Sequence, residues 1–479
     1  MGGAAGPARR RLGSACGHAR SARISPVSAG GARCPAGLSA VGGGTACPVQ
    51  SIRRISRREW CRRPDRPVVA PSNADRSRAV KTSTRRRSLL GAGAVAALAV
   101  ACASCAGGAP RPTASAAAAK PSQGAGADAG AGGVRMRVGA LSGMPEYDPK
   151  DLYAADRPNE LSPVVKNDPS FVYVPNTESN TVSVIDPATY KVVRTVEVGE
   201  QPQHVVPGWD LKMLWVNNDQ GNSLTPIDPA TGRFGTPVAV HDPYNLYFTP
   251  DGRSAMVMAE ADRQIVFRDP HTMAVQDTLD VPCAGVNHVD FSPDGSYFIA
   301  SCEFSGQLLK VDTAKRTLLG VVDLGHGAMP QDVKISPDGS VWYVADMTAN
   351  GVWTLDGDRF KVTGFIPTGA GAHGLYVSRD SKDLYISNRG EGSISVLDFA
   401  TNAVRVKWRI PGGGSPDMGG ISADGKVLWL SGRYNAEVYA ISTTDGHLIA
   451  RIPVGQGPHG LCVYPQPGRY SLGHTGIFR

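Results

Sequence analysis

The chain has 479 residues, is 41% hydrophobic and carries a formal net charge of +8, values that allow two or three domains and at first suggest an anionic partner. The charge is unevenly placed. Residues 1–90 hold 19 Lys or Arg against Glu59, Asp65 and Asp75, so residues 91–479 carry −8, and nucleic acid is not an expected partner of the part able to fold.

Residues 1–80 are rich in Arg, Gly, Ala, Ser and Pro and show no hydrophobic period long enough for a core. They read either as a disordered arm or as a misassigned extension, since Val80-Lys81-Thr82-Ser83-Thr84 before Arg85-Arg86-Arg87 would make an ordinary start. Residues 81–105 have the form of an export signal: a basic stretch, the short apolar run Gly91–Ala101, then Cys102. That run is too short to span a bilayer stably. Arg86-Arg87-Ser88-Leu89-Leu90 resembles the twin-arginine type. Cys102 or Cys105 resembles the lipidated cysteine of bacterial lipoproteins, with plain cleavage after small residues as the alternative. Residues 106–133, nearly all Ala, Gly, Ser and Pro, read as a flexible tether. The expected location is extracytoplasmic, lipid-anchored at the cell membrane or secreted.

After a lead-in segment, residues 134–170, the chain repeats. One landmark is the turn Trp209-Asp210-Leu211, Pro250-Asp251-Gly252, Pro293-Asp294-Gly295, Pro337-Asp338-Gly339, Arg379-Asp380-Ser381, Ala423-Asp424-Gly425 and a degenerate Pro465-Gln466-Pro467. Its centres step by 41, 43, 44, 42, 44 and 42. A second landmark centred on Asp186, Asp228, Asp269, Asp312, Asp356, Asp398 and Ser442 keeps the same phase. Short apolar runs such as Phe298-Ile299-Ala300 and Trp342-Tyr343-Val344 fit four strands per period. Helical spacing is absent, so residues 171–479 are expected to form an all-β, seven-bladed β-propeller. Phe171 opens the array with the second strand of a blade, and His459–Tyr464 is a spare first strand. The C-terminal strand should therefore complete the N-terminal blade and remove the open edges.

Phe171-Val172-Tyr173-Val174-Pro175-Asn176, Thr181-Val182-Ser183-Val184-Ile185-Asp186 and the later Gly-Pro-His-Gly and Ser-Pro-Asp-Gly motifs resemble YVTN-type, YncE-like propeller repeats of bacterial surface and periplasmic proteins. The resemblance implies the fold over roughly 171–464. It leaves function open, because related propellers include lactonases, amine dehydrogenase heavy chains and copper or haem enzymes.

A propeller's ligand site is expected where loops meet the channel, so the residues opening each innermost strand carry the functional question. They are His204, Asn245, His288, Asp332, His373, Asp417 and His459, all polar and six or seven residues before the turn of their blade. Neutral imidazoles and carboxylates suit a divalent metal or redox cofactor. They equally suit small-ligand contact or a hydrated channel lining. His204 and His459, on adjacent blades, are the expected metal pair if there is one. A second tier at the ends of the paired strands, Asn176, Asn218, Ala259, Cys302, Asp346, Asn388 and Gly432, is followed by Asp219, Glu260 and Glu303 on one side and Arg389 and Arg433 on the other, either solvated loop charges or an arrangement able to orient a dipolar or anionic ligand.

Cys283 and Cys302 fall on one blade face, where a disulfide, buried thiols or a metal site with His288 are the alternatives. Walker, His-Glu-x-x-His, Cys-x-x-Cys-His and Gly-x-Ser-x-Gly motifs are absent from the sequence. Two functions remain. One is a tethered, monomeric module binding a small ligand or a surface partner protein; the other is a propeller enzyme, lactonase-like or a metal- or redox-cofactor oxidoreductase or its accessory subunit, using the His/Asp ring.

Overall fold

A computed structural model describes residues 136–474 and 476–479. The expectations for residues 1–80, 81–105 and 106–133, with Cys102 and Cys105, lie outside those residues. The described chain is all-β apart from one 3-10 turn, Ala154–Asp156, so no helix among the described residues is long and apolar enough to cross a membrane.

Seven antiparallel blades form the propeller. Blade 1 runs Cys462–Tyr464, Phe171–Asn176, Thr181–Asp186, Lys191–Glu197 from axis to rim. The innermost strands of blades 2 to 7 are Pro202–Pro207, Asn245–Phe248, Val286–Phe291, Pro330–Ile335, Ala372–Val377 and Pro416–Ile421. Inner strands are buried along all or nearly all of their length, whereas the outermost, such as Lys191–Glu197 and Val275–Asp280, are largely exposed. Burial on both faces explains the unbroken apolar runs of the middle strands: Val, Ile and Leu from neighbouring blades form the cores between them.

Both sequence landmarks are turn-closing carboxylates. Asp294 Oδ1 accepts from Ser292 Oγ (2.9 Å) and Ser296 N (3.0 Å), with Gly295 at φ 71°, and Asp338, Asp380 and Asp424 repeat the device. Asp186, Asp228 and Asp398 cap the next turn by accepting backbone N–H groups.

The ring closes as the repeat phase predicts: Phe171 pairs with Tyr464, Val172 with Val463 and Tyr173 with Cys462. The closing strand is shorter than the expected His459–Tyr464, because Gly460 bonds sideways to blade 2 instead. Gly460 N donates to Gln203 O and Gly460 O accepts from Val205 N, both at 2.9 Å.

Two segments outside the repeats seal the channel. The lead-in crosses the turn face, where Leu141 N donates to Asp294 O, Leu152 N to Pro337 O and Asn159 N to Ala423 O. The C-terminal residues turn inward as a hairpin, Ser471–Gly473 with Ile477–Phe478, which adds to the axial edge of Asn245–Phe248. Tyr470, Leu472, Ile477 and Phe478 are buried there. At the hairpin's base Arg479 pairs with buried Asp290 at 2.7 Å and stacks over Tyr153. Blade 3 thereby becomes six-stranded.

Candidate functional site

The residues opening the inner strands do meet. His204, Asn245, His288, Asp332, His373, Asp417 and His459 are all buried at one level of the channel, because the repeat places equivalent positions at equal depth. A fifth imidazole joins them from the tip of the C-terminal hairpin: the His474 ring lies 4.8 Å from His288 and 5.1 Å from His204. His474 follows the last landmark, so no repeat phase signalled it.

Among the described residues, two triads gather possible ligand atoms within 4.8 Å of one another: His373, Asp417 and His459, and His288, Asp332 and His474. Each is two imidazoles and a carboxylate. His204 stands between them, its ring 4.8 Å from His459, but belongs to neither triad. Of the pair singled out in the sequence, His459 shares Asp417 with His373, and His204 packs alongside it.

The first triad carries unsatisfied valence. His373 Nδ1 lies 3.1 Å from Asp417 Oδ1 without forming an aligned hydrogen bond, and His459 Nε2 lies 3.6 Å from Asp417 Oδ2. His373 Nδ1 and Asp417 Oδ2 are both buried with no hydrogen-bond partner. Ligands held at 2.0–2.2 Å from a transition metal are separated by about 2.8–3.1 Å along an octahedral edge and about 3.3–3.6 Å along a tetrahedral one, and these two separations fall in those ranges. Outer contacts orient the set. Arg389 Nη1 donates to Asp417 Oδ1 at 3.2 Å, leaving Oδ2 available, and His459 Nδ1 meets Gln203 Oε1 at 3.0 Å, turning Nε2 inward. His204 is oriented the same way: Nδ1 donates to Tyr244 O at 2.9 Å, and Nε2 has no partner.

Burial sets the protonation. Desolvation holds His204 down to about 4 and holds His288, His373, His459 and His474 well below the usual imidazole range, so the five rings are neutral near pH 7. Desolvation also raises Asp417, opposed by Arg389 and Arg433, and raises Asp332 to about 6. Neutral imidazole is the form that ligates a metal.

The second tier divides. Asn176, Asn218 and Asn388 each tie two hydroxyls of the neighbouring strand at 2.9–3.1 Å, a repeated strand clamp. Arg389 reaches Asp417, whereas Arg433 donates to Thr177 Oγ1 (2.8 Å) and Gly457 O. Glu303 takes Asn287 Nδ2 at 2.8 Å, and burial raises its carboxyl. Cys283 and Cys302 are joined by a disulfide, one strand-end away from Glu303, and Cys462 is a buried free thiol in the closing strand.

The fold and site define a seven-bladed β-propeller with a buried His/Asp cluster on its axis, sealed from the turn face. Residues 159–468 match the YNCE-like beta-propeller family, and the chain belongs to it. No curated protein matches the sequence. Among solved structures, a functionally unknown protein from Desulfotomaculum acetoxidans is similar at 15% identity and TM-score 0.53, over 61% of this chain and 98% of that one. Kuenenia stuttgartiensis hydrazine synthase is similar at 20% identity and TM-score 0.49 (56% and 91%). Dihydro-heme d1 dehydrogenase NirN in complex with DHE is similar at 14% and 0.49 (64% and 76%). At these identities the likeness concerns the fold alone.

Proposed function

We propose that this protein is an extracytoplasmic ligand-binding propeller whose ligand is a divalent transition-metal ion, held at the channel mouth by His373, Asp417 and His459. The observation that carries the proposal is the pair of orphaned buried atoms, His373 Nδ1 and Asp417 Oδ2, beside His459 Nε2. A buried polar atom without a partner costs about 1–3 kcal/mol, and one bound cation would satisfy all three residues. Two imidazoles and one carboxylate suit zinc or ferrous iron, with positions left open for an exogenous ligand. Export is supported by the Arg85–Cys105 sequence pattern and by the Cys283–Cys302 disulfide, which is at home in an oxidising compartment. The tether and lipid anchor would hold a monomer at the membrane surface.

A metalloenzyme is the second reading. The incomplete ligand set favours it, as do Arg389 and Arg433, whose positive charges both act on Asp417. The metal would supply Lewis acidity when bound; Arg389 would hold the carboxylate and draw an anionic substrate toward the open positions.

The test is metal analysis of the purified protein after loading with Zn(II), Co(II) or Fe(II) and dialysis. The expected result is one equivalent, lost in His459→Gln and Asp417→Asn variants that keep the wild-type far-UV circular dichroism. A folded protein that retains no stoichiometric metal refutes the proposal.

A further inference from the structure

The two triads have the same composition, yet their imidazoles are not in the same state. We infer that Asn245 decides which triad takes the metal, by fixing the His474 tautomer so that the His288/Asp332/His474 triad stays closed to it. The inference rests on the metal-binding reading above.

The amide of Asn245 cannot turn freely. Its Oδ1 accepts from Leu246 N at 2.9 Å, and its Nδ2 lies 3.2 Å from Asn287 O. Both partners are backbone groups, one a donor and one an acceptor, so exchanging O and N would set like against like at both contacts. With the orientation set, Nδ2 points its second hydrogen at His474 Nδ1, 3.0 Å away. Nδ1 must then be the acceptor, and in a neutral ring the proton resides on Nε2. That Nε2 is the His474 atom turned toward Asp332 Oδ1, at 3.9 Å.

His474 therefore presents an N–H where a metal needs a lone pair. On the His288 ring the Tyr247 hydroxyl, 3.4 Å from Nδ1, is the donor on that side, while Nε2 is buried with no hydrogen-bond partner. Asp332 is committed as well: Oδ1 accepts from Val333 N and Oδ2 from Leu375 N, both at 2.9 Å.

The other side of the channel has the opposite arrangement. His204 donates to a carbonyl and His459 Nδ1 faces an amide oxygen, so their Nε2 lone pairs turn inward. Metal-binding histidines show this pattern: the outer nitrogen gives its hydrogen to an acceptor and the inner nitrogen is left basic. One asparagine, in place of an acceptor, reverses it.

The test combines stoichiometry with ring tautomers. Long-range proton–nitrogen NMR of the metal-free, histidine-labelled full chain should show His474 protonated at Nε2. In Asn245→Asp the acceptor should move the proton to Nδ1, and zinc titration should rise from one equivalent to two. His474→Gln, which leaves the first triad intact, should still bind one equivalent with unchanged affinity. Two equivalents in the wild type, loss of zinc in His474→Gln, or an Nδ1-protonated His474 in the wild type would each overturn the inference while leaving the metal-binding proposal standing. A folded wild type that binds no zinc would end both.

Discussion

The C-terminal hairpin can be tested by a single truncation of side-chain volume. Phe478 is buried among Tyr173, Val205 and Tyr464 of blades 1 and 2 and Val165 of the lead-in. Phe478→Ala removes a ring from a site walled by three separate segments, which leaves little room for collapse, and such losses cost about 3–5 kcal/mol. Unfolding entropy of about 2 cal/mol/K per residue, taken over residues 136–479, converts a loss of about 4 kcal/mol into a fall in Tm of roughly 5–6 °C. Differential scanning calorimetry of the purified variant measures it directly. An unchanged Tm would refute the placement of the hairpin in the channel, because a tail trailing in solvent would lose nothing by the same substitution.

Other consequences follow from the same packing. Gly460→Ala would drive a methyl group into His204 Cδ2, so it should lower Tm and disturb the His204 NMR signals; an unperturbed variant would contradict the close approach of blades 1 and 2. Reducing the Cys283–Cys302 bond, whose sequence separation is 19, should cost about 3 kcal/mol by loop-closure entropy, visible as a lower urea midpoint with dithiothreitol. Arg479→Met strands the Asp290 carboxylate and should cost about 3–5 kcal/mol, measured by chemical denaturation; a neutral outcome would mean the pair is solvated.

For pH, His204 is lowered from 6.5 to about 4 by burial, so between those values the unfolded chain binds a proton that the native state refuses. Its contribution is fully present above pH 6.5 and is lost as pH falls to 4, up to about 3 kcal/mol. Asp332, raised to about 6, acts in the opposite sense between roughly 4 and 6. The comparison that isolates His204 is therefore wild type against His204→Gln, metal-free, by urea titration. The variant should lose about 3 kcal/mol less on acidification over that window, and parallel curves would count against a buried neutral ring.

The propeller was legible because its blades repeat. Turn-closing carboxylates such as Asp294 and Asp338 recur for a local hydrogen-bonding reason, and that recurrence set both blade count and ring closure. Depth in the channel was legible for the same cause: one repeat phase gives one level, so the ring from His204 to His459 emerged intact. Segments outside the repeat gave no comparable signal. The lead-in and the hairpin hold their places through long-range contacts, Leu152 with Pro337 and Gly473 with Tyr247 among them, and no local period encodes those.

Sevenfold repetition alone would make a uniform polar ring, and the features that break its uniformity come mostly from non-repeated residues. His474 enters from the hairpin tip and turns the His288/Asp332 side into a triad. Asn245, at a phase where four other blades carry His, gives that side a donor instead of an imidazole. Arg389 claims one oxygen of Asp417 and leaves the other without a partner. A ring that served only to line a wet channel would pair these atoms with each other or with solvent, and burial forecloses the second option. Unpartnered buried atoms occur on both sides, His288 Nε2 among them, but the His373/Asp417/His459 side carries two, one of them a carboxylate oxygen, at a spacing that suits a metal ion.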